Sequence, residues 1–257
     1  MLPNLQELVQ AKRLWLFLDY DGTLADFAPT PDHIYPDSTL IELLIRLAAH
    51  PRLRVTVISG RRLSHIRQLV PLPNILLAGT YGIEMQILNG EKVDRLAYAE
   101  VRAVLDEYKP QWEQLLAGRD NFYLEDKGWA LAIHARSADD QEAETVLAEA
   151  ADIAAPLASS EMFRLLGGHK FLEIGPRLAH KGLSVEYLLE KYAWPDSFLI
   201  YIGDDDKDEE AFKVIKAHGG MTIQVGQPSA QAKADFYLES PQAVRQWLAS
   251  LLDHLAA

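Results

Sequence analysis

Short apolar runs of the buried type recur along the chain at residues 14–18, 55–58, 75–78, 198–202 and 221–225, each followed by a turn signal and then by helical spacing. Runs of four or five apolar residues without polar alternation fit strands covered on both faces, as in a parallel sheet. The segments between them, 38–49, 61–70, 182–192, 208–217 and 241–254, carry the apolar period of helices. The last has a clear start, with Ser240 as N-cap and Pro241 in the first helical position. Strand and helix in alternation predict an open, mostly parallel α/β sheet.

Residues 101–179 break that rhythm. They predict a helix (101–117), strands at 122–125 and 129–135, a helix (139–154), and strands at 163–166 and 170–174. Asp126-Lys127-Gly128 supplies the tight turn of the first hairpin. The expected architecture is a Rossmann-like α/β core formed by residues 1–100 and 180–257, with an αββαββ cap inserted at 101–179.

At 257 residues, 49% hydrophobic and 24% charged, the chain has the composition of a folded enzyme-sized protein rather than a disordered one. Its formal net charge of -12 disfavours binding to a nucleic-acid backbone, which needs a density of Lys and Arg. The absence of cysteine excludes disulfides, thiolate zinc sites and a cysteine nucleophile, so any metal must be held by oxygen or imidazole. The first residues lack the apolar stretch of a signal peptide, and no run approaches the length of a membrane span. The expectation is a cytoplasmic protein with no membrane or nucleic-acid partner.

The chemistry concentrates where the predicted strands end, which is where open α/β sheets bind ligands. The first run ends in Asp19-Tyr20-Asp21-Gly22-Thr23. An Asp carboxylate can attack a phosphoryl group, but an anion attacking a dianion needs its charge neutralised. The fourth run ends in Gly203 and the acids 204–206 and 208–210. There Asp204 and Asp208, at i and i+4, can share a helix face and hold Mg²⁺ together with Asp19. The remaining acids of that run suit a solvated helix N-terminus. After the second run, Ser59-Gly60-Arg61 offers a hydroxyl and free backbone N–H groups at a helix start to phosphate oxygens. Lys181-Gly182 opens another helix with an ammonium that can offset the charge of nucleophile and phosphate.

These residues in this order resemble the haloacid dehalogenase superfamily of phosphatases. The resemblance implies Asp19 as nucleophile, Asp21 as general acid/base, and Ser59 and Lys181 as phosphate-binding groups. Mg²⁺ would be held by Asp19, Asp204, Asp208 and the Asp21 backbone carbonyl. Further segments are similar to the trehalose-6-phosphate phosphatases: 78–84, 124–128, 134–136 and 172–177. That likeness extends over about residues 14–226 and includes the cap. It implies that Glu125, Lys127, Glu173 and Arg136 bind sugar hydroxyls, alongside Gly60 and Arg61 at the phosphate, and that the protein is functionally coupled to a trehalose-6-phosphate synthase. Four positions depart from the family pattern: Tyr81, His169, Gly175 and Lys207.

The leading expectation is therefore a Mg²⁺-dependent phosphatase of trehalose 6-phosphate acting through an aspartyl-phosphate. The alternative is a phosphatase of the same superfamily acting on another glycosyl phosphate, such as a glucosylglycerol, sucrose or hexose phosphate. A glycoside hydrolase also uses paired carboxylates but needs neither Ser59 and Lys181 nor a metal. A non-catalytic sugar-phosphate sensor leaves the nucleophile and the acid set without purpose. His134 is expected to satisfy a hydrogen bond on a strand face rather than bind metal, because no second His lies at ligand spacing. Glu173, within an apolar run, is expected to face outward from a half-buried strand.

Overall fold

The computed structural model describes residues 3–27, 34–227 and 234–256. In chain order the elements are α1 (Leu5–Leu8), β1 (Arg13–Leu18), α2 (Ser38–Ala49), β2 (Leu53–Ile58), α3 (Leu63–Leu69), β3 (Leu76–Gly79), a 3-10 turn (Thr80–Gly82), β4 (Glu84–Gln86) and β5 (Lys92–Asp94). There follow α4 (Tyr98–Leu116), β6 (Tyr123–Asp126), β7 (Leu131–His134), α5 (Asp140–Ala158), β8 (Phe163–Gly168) and β9 (Phe171–Pro176). The chain closes with α6 (Lys181–Lys191), β10 (Ser197–Gly203), α7 (Asp208–Ala217), β11 (Met221–Val225), β12 (Phe236–Leu238) and α8 (Pro241–Ala256). Two compact units result, one of residues 1–95 and 180–257, the other of residues 96–179. The second starts ahead of residue 101 because α4 already begins at Tyr98.

In the first unit an eight-stranded sheet runs in the order β12-β11-β10-β1-β2-β3-β4-β5. It is parallel from β12 to β3 and antiparallel through β4 and β5. β1 is packed on both faces. Its Leu14, Leu16 and Leu18 pack with side chains of α2 and α8, while Trp15 and Phe17 pack with side chains of α6 and α7. Full burial of such a side chain contributes about 1.5–3 kcal/mol, so the strand is anchored from both faces. The Trp15 indole N–H finds Thr56 Oγ1 at 2.8 Å, so no buried donor is lost there.

β4, β5 and β12 do not stand out as apolar runs. Each is three residues long; β5 and β12 form the sheet edges, where polar positions are tolerated, while in β4 the buried Glu84 accepts the Leu63 N–H and the buried Gln86 donates to the Leu72 carbonyl. The α8 start is as the sequence indicates, with the Ala243 N–H donating to Ser240 Oγ at 3.2 Å.

The second unit is an antiparallel sheet in the order β6-β7-β9-β8 with α4 and α5. The two helices are joined by the Trp112 indole donating to the Ala150 carbonyl at 3.0 Å. The β6–β7 connection is longer than a tight turn at 126–128. Lys127 N–H bonds the Ala130 carbonyl at 2.9 Å, with Gly128 at φ 78°. By register, Glu125, Ala132 and Glu173 lie side by side on one sheet face, next to the row Tyr123, His134 and Phe171. Among the described residues, no helix is long and apolar enough to cross a membrane.

Candidate active site

β10, β1 and β2 are neighbours in the sheet, and their carboxyl ends lead directly into Asp204, Asp19 and Ser59. Asp19 N–H continues the ladder to the Ile202 carbonyl at 2.9 Å, which fixes where its carboxylate emerges. Lys181, the first residue of α6, is fully buried and reaches Asp208 Oδ1 at 2.6 Å, Asp19 Oδ1 at 2.9 Å and Asp205 Oδ1 at 3.4 Å. An ammonium at a helix N-terminus opposes the helix dipole, so these carboxylates must offset both that and its desolvation. Burial works against the ammonium, but Asp19 and Asp208 outweigh it and hold its pKa well above the ordinary value.

The acidic loop is organised by Asp208 rather than by a helix face shared with Asp204. Asp204 lies ahead of α7, and the Asp208 Oδ2 atom accepts the backbone N–H groups of Asp204 and Asp205 at 3.0 and 3.1 Å. Its Oδ1 accepts the Tyr201 hydroxyl at 2.7 Å as well as Lys181. Asp205 in turn accepts the N–H groups of Lys207 and Asp208 at 3.0 and 3.1 Å, capping α7. Thr23 donates its hydroxyl to Asp204 Oδ1 at 3.1 Å. The turn carrying Thr23 needs Gly22, whose φ is 82° and where a Cβ would lie 2.3 Å from Asp204 Oδ2.

Asp19, Asp204 and Asp208 each bring one carboxylate oxygen within 4.8 Å of the others. Burial, followed by the neighbouring acids Asp205 and Asp204 and opposed by Lys181, raises the Asp19 pKa to about 7. Burial together with Asp208 and Asp205 raises Asp204 to about 6. One ammonium does not balance this set. Hard oxygen donors with surplus negative charge fit a divalent cation such as Mg²⁺.

On the other side of β1, the Ser59 Oγ accepts the Arg61 N–H at 3.1 Å. The Arg61 guanidinium grips Asp21 with two bonds of 2.7 Å. Helix α3 begins at Leu63 rather than 61, and the Leu63 N–H bonds the buried Glu84 carboxylate at 3.2 Å. The backbone donors at 61 and 63 are therefore engaged, contrary to the expectation of free N–H groups at a helix start. Asp21 stands apart from the three-carboxylate group and is oriented by Arg61.

In the second unit Lys127 Nζ meets Glu173 at 2.6 Å and Glu125 at 3.8 Å, and lies 5.5 Å from the centre of the Phe171 ring. Glu125 also receives His134 Nε2 at 2.8 Å. Glu173 is buried rather than half-exposed, because Lys127 covers its charge. Arg136 is exposed in the loop after β7. Asp126, beside Lys127, turns instead to Arg102 and Lys109 at 2.7 and 2.9 Å.

Thr23 and Asp205, which lie within the motifs but were given no role, and Tyr201 also take part in this hydrogen-bond network. For Tyr201 the signal was present: a hydroxyl inside the run 198–202 must find a buried partner.

The sequence profile of the family described as trehalose-phosphatase matches residues 17–242. A trehalose 6-phosphate phosphatase of Zea mays is 29% identical over 265 residues, covering 96% of this chain and 72% of that protein. Trehalose-phosphate phosphatase B of Arabidopsis thaliana is 27% identical over 272 residues, covering 98% and 70%. Among solved structures, the C-terminal domain of a Candida albicans trehalose-6-phosphate phosphatase superposes with a TM-score of 0.82 at 22% identity, covering 98% of this chain and 97% of that one, which shows a shared fold.

Proposed function

Since the chain belongs to the trehalose-phosphatase family, phosphoric monoester hydrolases of the haloacid dehalogenase superfamily, we propose that it hydrolyses trehalose 6-phosphate to trehalose and phosphate through an aspartyl-phosphate on Asp19. The observation that carries this reading is the buried Asp19 carboxylate, 2.9 Å from the buried Lys181 ammonium and grouped with Asp204 and Asp208.

An Asp19 oxygen attacks phosphorus and the bond from phosphorus to the sugar oxygen breaks, while Asp21 gives its proton to the departing alkoxide. Asp21 then takes a proton from water, whose oxygen attacks phosphorus, releasing phosphate and restoring Asp19. Arg61 orients Asp21 for both transfers, and Ser59 and Lys181 bind phosphate oxygens. A divalent cation held by Asp19, Asp204, Asp208 and the Asp21 carbonyl supplies the charge neutralisation that lets an anion approach a phosphate dianion. Glu125, Lys127, Glu173 and Arg136 read the sugar hydroxyls through charge-assisted hydrogen bonds. The substrate arises by glucosyl transfer onto a hexose phosphate, so functional coupling to a trehalose-6-phosphate synthase in the cytoplasm is part of this reading.

The test is phosphate release from trehalose 6-phosphate beside glucose 6-phosphate, sucrose 6-phosphate and glucosylglycerol phosphate, each with Mg²⁺ and with EDTA. Metal-dependent release favouring trehalose 6-phosphate is expected. Preference for another sugar phosphate would overturn the substrate, and equal release in EDTA would overturn the cation.

A further inference from the structure

Two residues with no part in the reaction just described touch each other at its edge. Tyr81 is buried, and it and Thr80 are consecutive non-glycine residues at φ 52° and 49°. Left-handed pairs of this kind persist only where the surroundings over-determine them. Here they do. The Thr80 N–H bonds the Arg61 carbonyl at 2.7 Å and the Tyr81 N–H bonds the Ser59 carbonyl at 2.9 Å. The Tyr81 carbonyl accepts the Ser184 hydroxyl at 2.6 Å, one turn along α6 from Lys181.

The Tyr81 ring lies on Gly60 so closely that a Cβ there would come within 2.7 Å of ring atoms. Its hydroxyl accepts Lys207 Nζ at 2.8 Å, and the same ammonium sits 4.9 Å from the ring centre. Lys207 directly precedes Asp208, and its N–H is bound by Asp205. One residue thus fastens the three segments: its backbone holds the Ser59–Arg61 loop and the head of α6, and its side chain joins Gly60 to the acidic loop.

We propose that Tyr81 and Lys207 act as one positioning pair that sets the distance between the phosphate-binding loop at 59–61 and the cation-binding loop at 204–208. The proposal rests on the assignment of those loops made above. Neither side chain touches the reacting atoms. Their joint contribution is geometric, and it is delivered through Gly60 on one side and the Asp205–Asp208 turn on the other.

The experiment compares the wild type with Tyr81→Phe, Lys207→Met, the double variant and Lys207→Arg. It reads kcat and KM for trehalose 6-phosphate, the affinity for Mg²⁺ alone by calorimetry, and the thermal unfolding temperature. Small misplacements at a reacting centre are costly, so each of the Phe and Met variants is expected to lower kcat by about 10-fold with KM within about 3-fold. The double variant should fall no further than the weaker single variant, because the two losses are one interaction. Mg²⁺ affinity should drop by the same factor in both single variants. Lys207→Arg, which keeps a cation on the ring and a donor to the hydroxyl, should recover most of the rate.

Losses that multiply in the double variant, unchanged Mg²⁺ affinity, or an Arg variant as weak as the Met variant would each overturn the pair. So would losses that merely track unfolding temperature. Tyr81→Phe keeps the ring over Gly60, so the comparison survives if a harsher variant fails to fold. If the wild type releases no phosphate from trehalose 6-phosphate, the substrate reading fails, while the Mg²⁺ titrations still decide the pair.

Discussion

Each unit builds a cluster around one lysine, and the two clusters are charged differently. In the first unit Lys181 faces Asp19, Asp205 and Asp208, with Asp204 close by; Lys181, Asp19 and Asp208 are buried, and backbone and hydroxyl donors feed Asp204, Asp205 and Asp208. In the second unit, among the described residues, Lys127 faces the carboxylates of Glu125 and Glu173, and Glu125 also holds His134. The first cluster carries a surplus of negative charge that one ammonium does not balance; the second is nearer to balance. An unbalanced buried set calls for a divalent cation and, through it, a phosphate. A nearly balanced, part-exposed set suits a neutral polyol, whose hydroxyls can be read without a net charge to neutralise. On the reading proposed above, the first cluster carries the chemistry of a sugar phosphate and the second its recognition.

The comparison breaks most sharply at Asp19. Asp19→Asn removes the carboxylate proposed as the nucleophile, and phosphate release is expected to fall by about 10³-fold or more. Lys181 keeps Asp208 at 2.6 Å, and one charge leaves an overloaded set, so the unfolding temperature should hold or rise. Retained turnover would show that the first cluster is not the reacting one. Removal of metal with EDTA should abolish turnover reversibly. Saturating Mg²⁺ should raise the unfolding temperature by about 5–10 °C, since a ligand at 100 times its Kd stabilises the folded state by about 2.7 kcal/mol. An unfolding temperature indifferent to Mg²⁺ would remove the case for a cation among Asp19, Asp204 and Asp208.

A smaller effect tests the other cluster. Glu125→Ala leaves Lys127 bonded to Glu173, so the local fold should persist. Turnover of trehalose 6-phosphate is expected to drop by about 10- to 100-fold, against at most about 3-fold for a generic aryl phosphate, because only the sugar loses a hydrogen-bonding partner. Equal losses on both substrates would deny the second cluster a part in sugar recognition.

How much of this was legible in the chain follows the same division. β1 and β10 declare themselves because strands buried on both faces must be apolar throughout, and the acids that follow them stand out against that background. Asp19, Lys181, Asp204 and Asp208 could be named from order alone, and the structure brings them together. The edge strands β5 and β12 were not legible because short, partly exposed strands have no such constraint, and β4 was hidden because its buried Glu84 and Gln86 are satisfied by hydrogen bonds rather than by apolar packing. Contacts between distant positions were equally hidden. The grip of Arg61 on Asp21 spans 40 residues, and the Lys207–Tyr81 bond spans 126. Order along the chain therefore showed Arg61 only as part of the Ser59-Gly60-Arg61 loop and not as the partner of Asp21. The i, i+4 spacing of Asp204 and Asp208 suggested the right neighbours by the wrong geometry. They meet because Asp208 binds the backbone of 204 and 205, which a helical projection does not contain.

The subtlest consequence of the charge difference is that acid should move the two units in opposite directions when metal is absent. Asp19 has a pKa of about 7 against an ordinary value of 3.8, burial being the main cause. Between those values the folded state holds a proton that the unfolded chain has released. The stability linked to Asp19 is complete below about pH 4 and is lost as pH rises through 7. Asp126 behaves in the reverse way. Burial would raise it, but Arg102, Lys109 and the Gly128 N–H prevail and hold it at about 2. Its contribution is present above about pH 4 and disappears as pH falls through 2. Hydrogen exchange in EDTA, corrected for the pH dependence of intrinsic rates, should show the segments around 19 and 204–208 gaining protection from pH 8 to pH 5. Protection around 123–134 should stay level over that range and decline only below pH 4. Mg²⁺ requires ionised ligands, so its addition should protect the first set more at pH 8 than at pH 5 and reverse the trend. Equal protection of that set at both pH values without metal would mean that its carboxylates are not in competition with one another, and the contrast between the two clusters would lose its electrostatic basis.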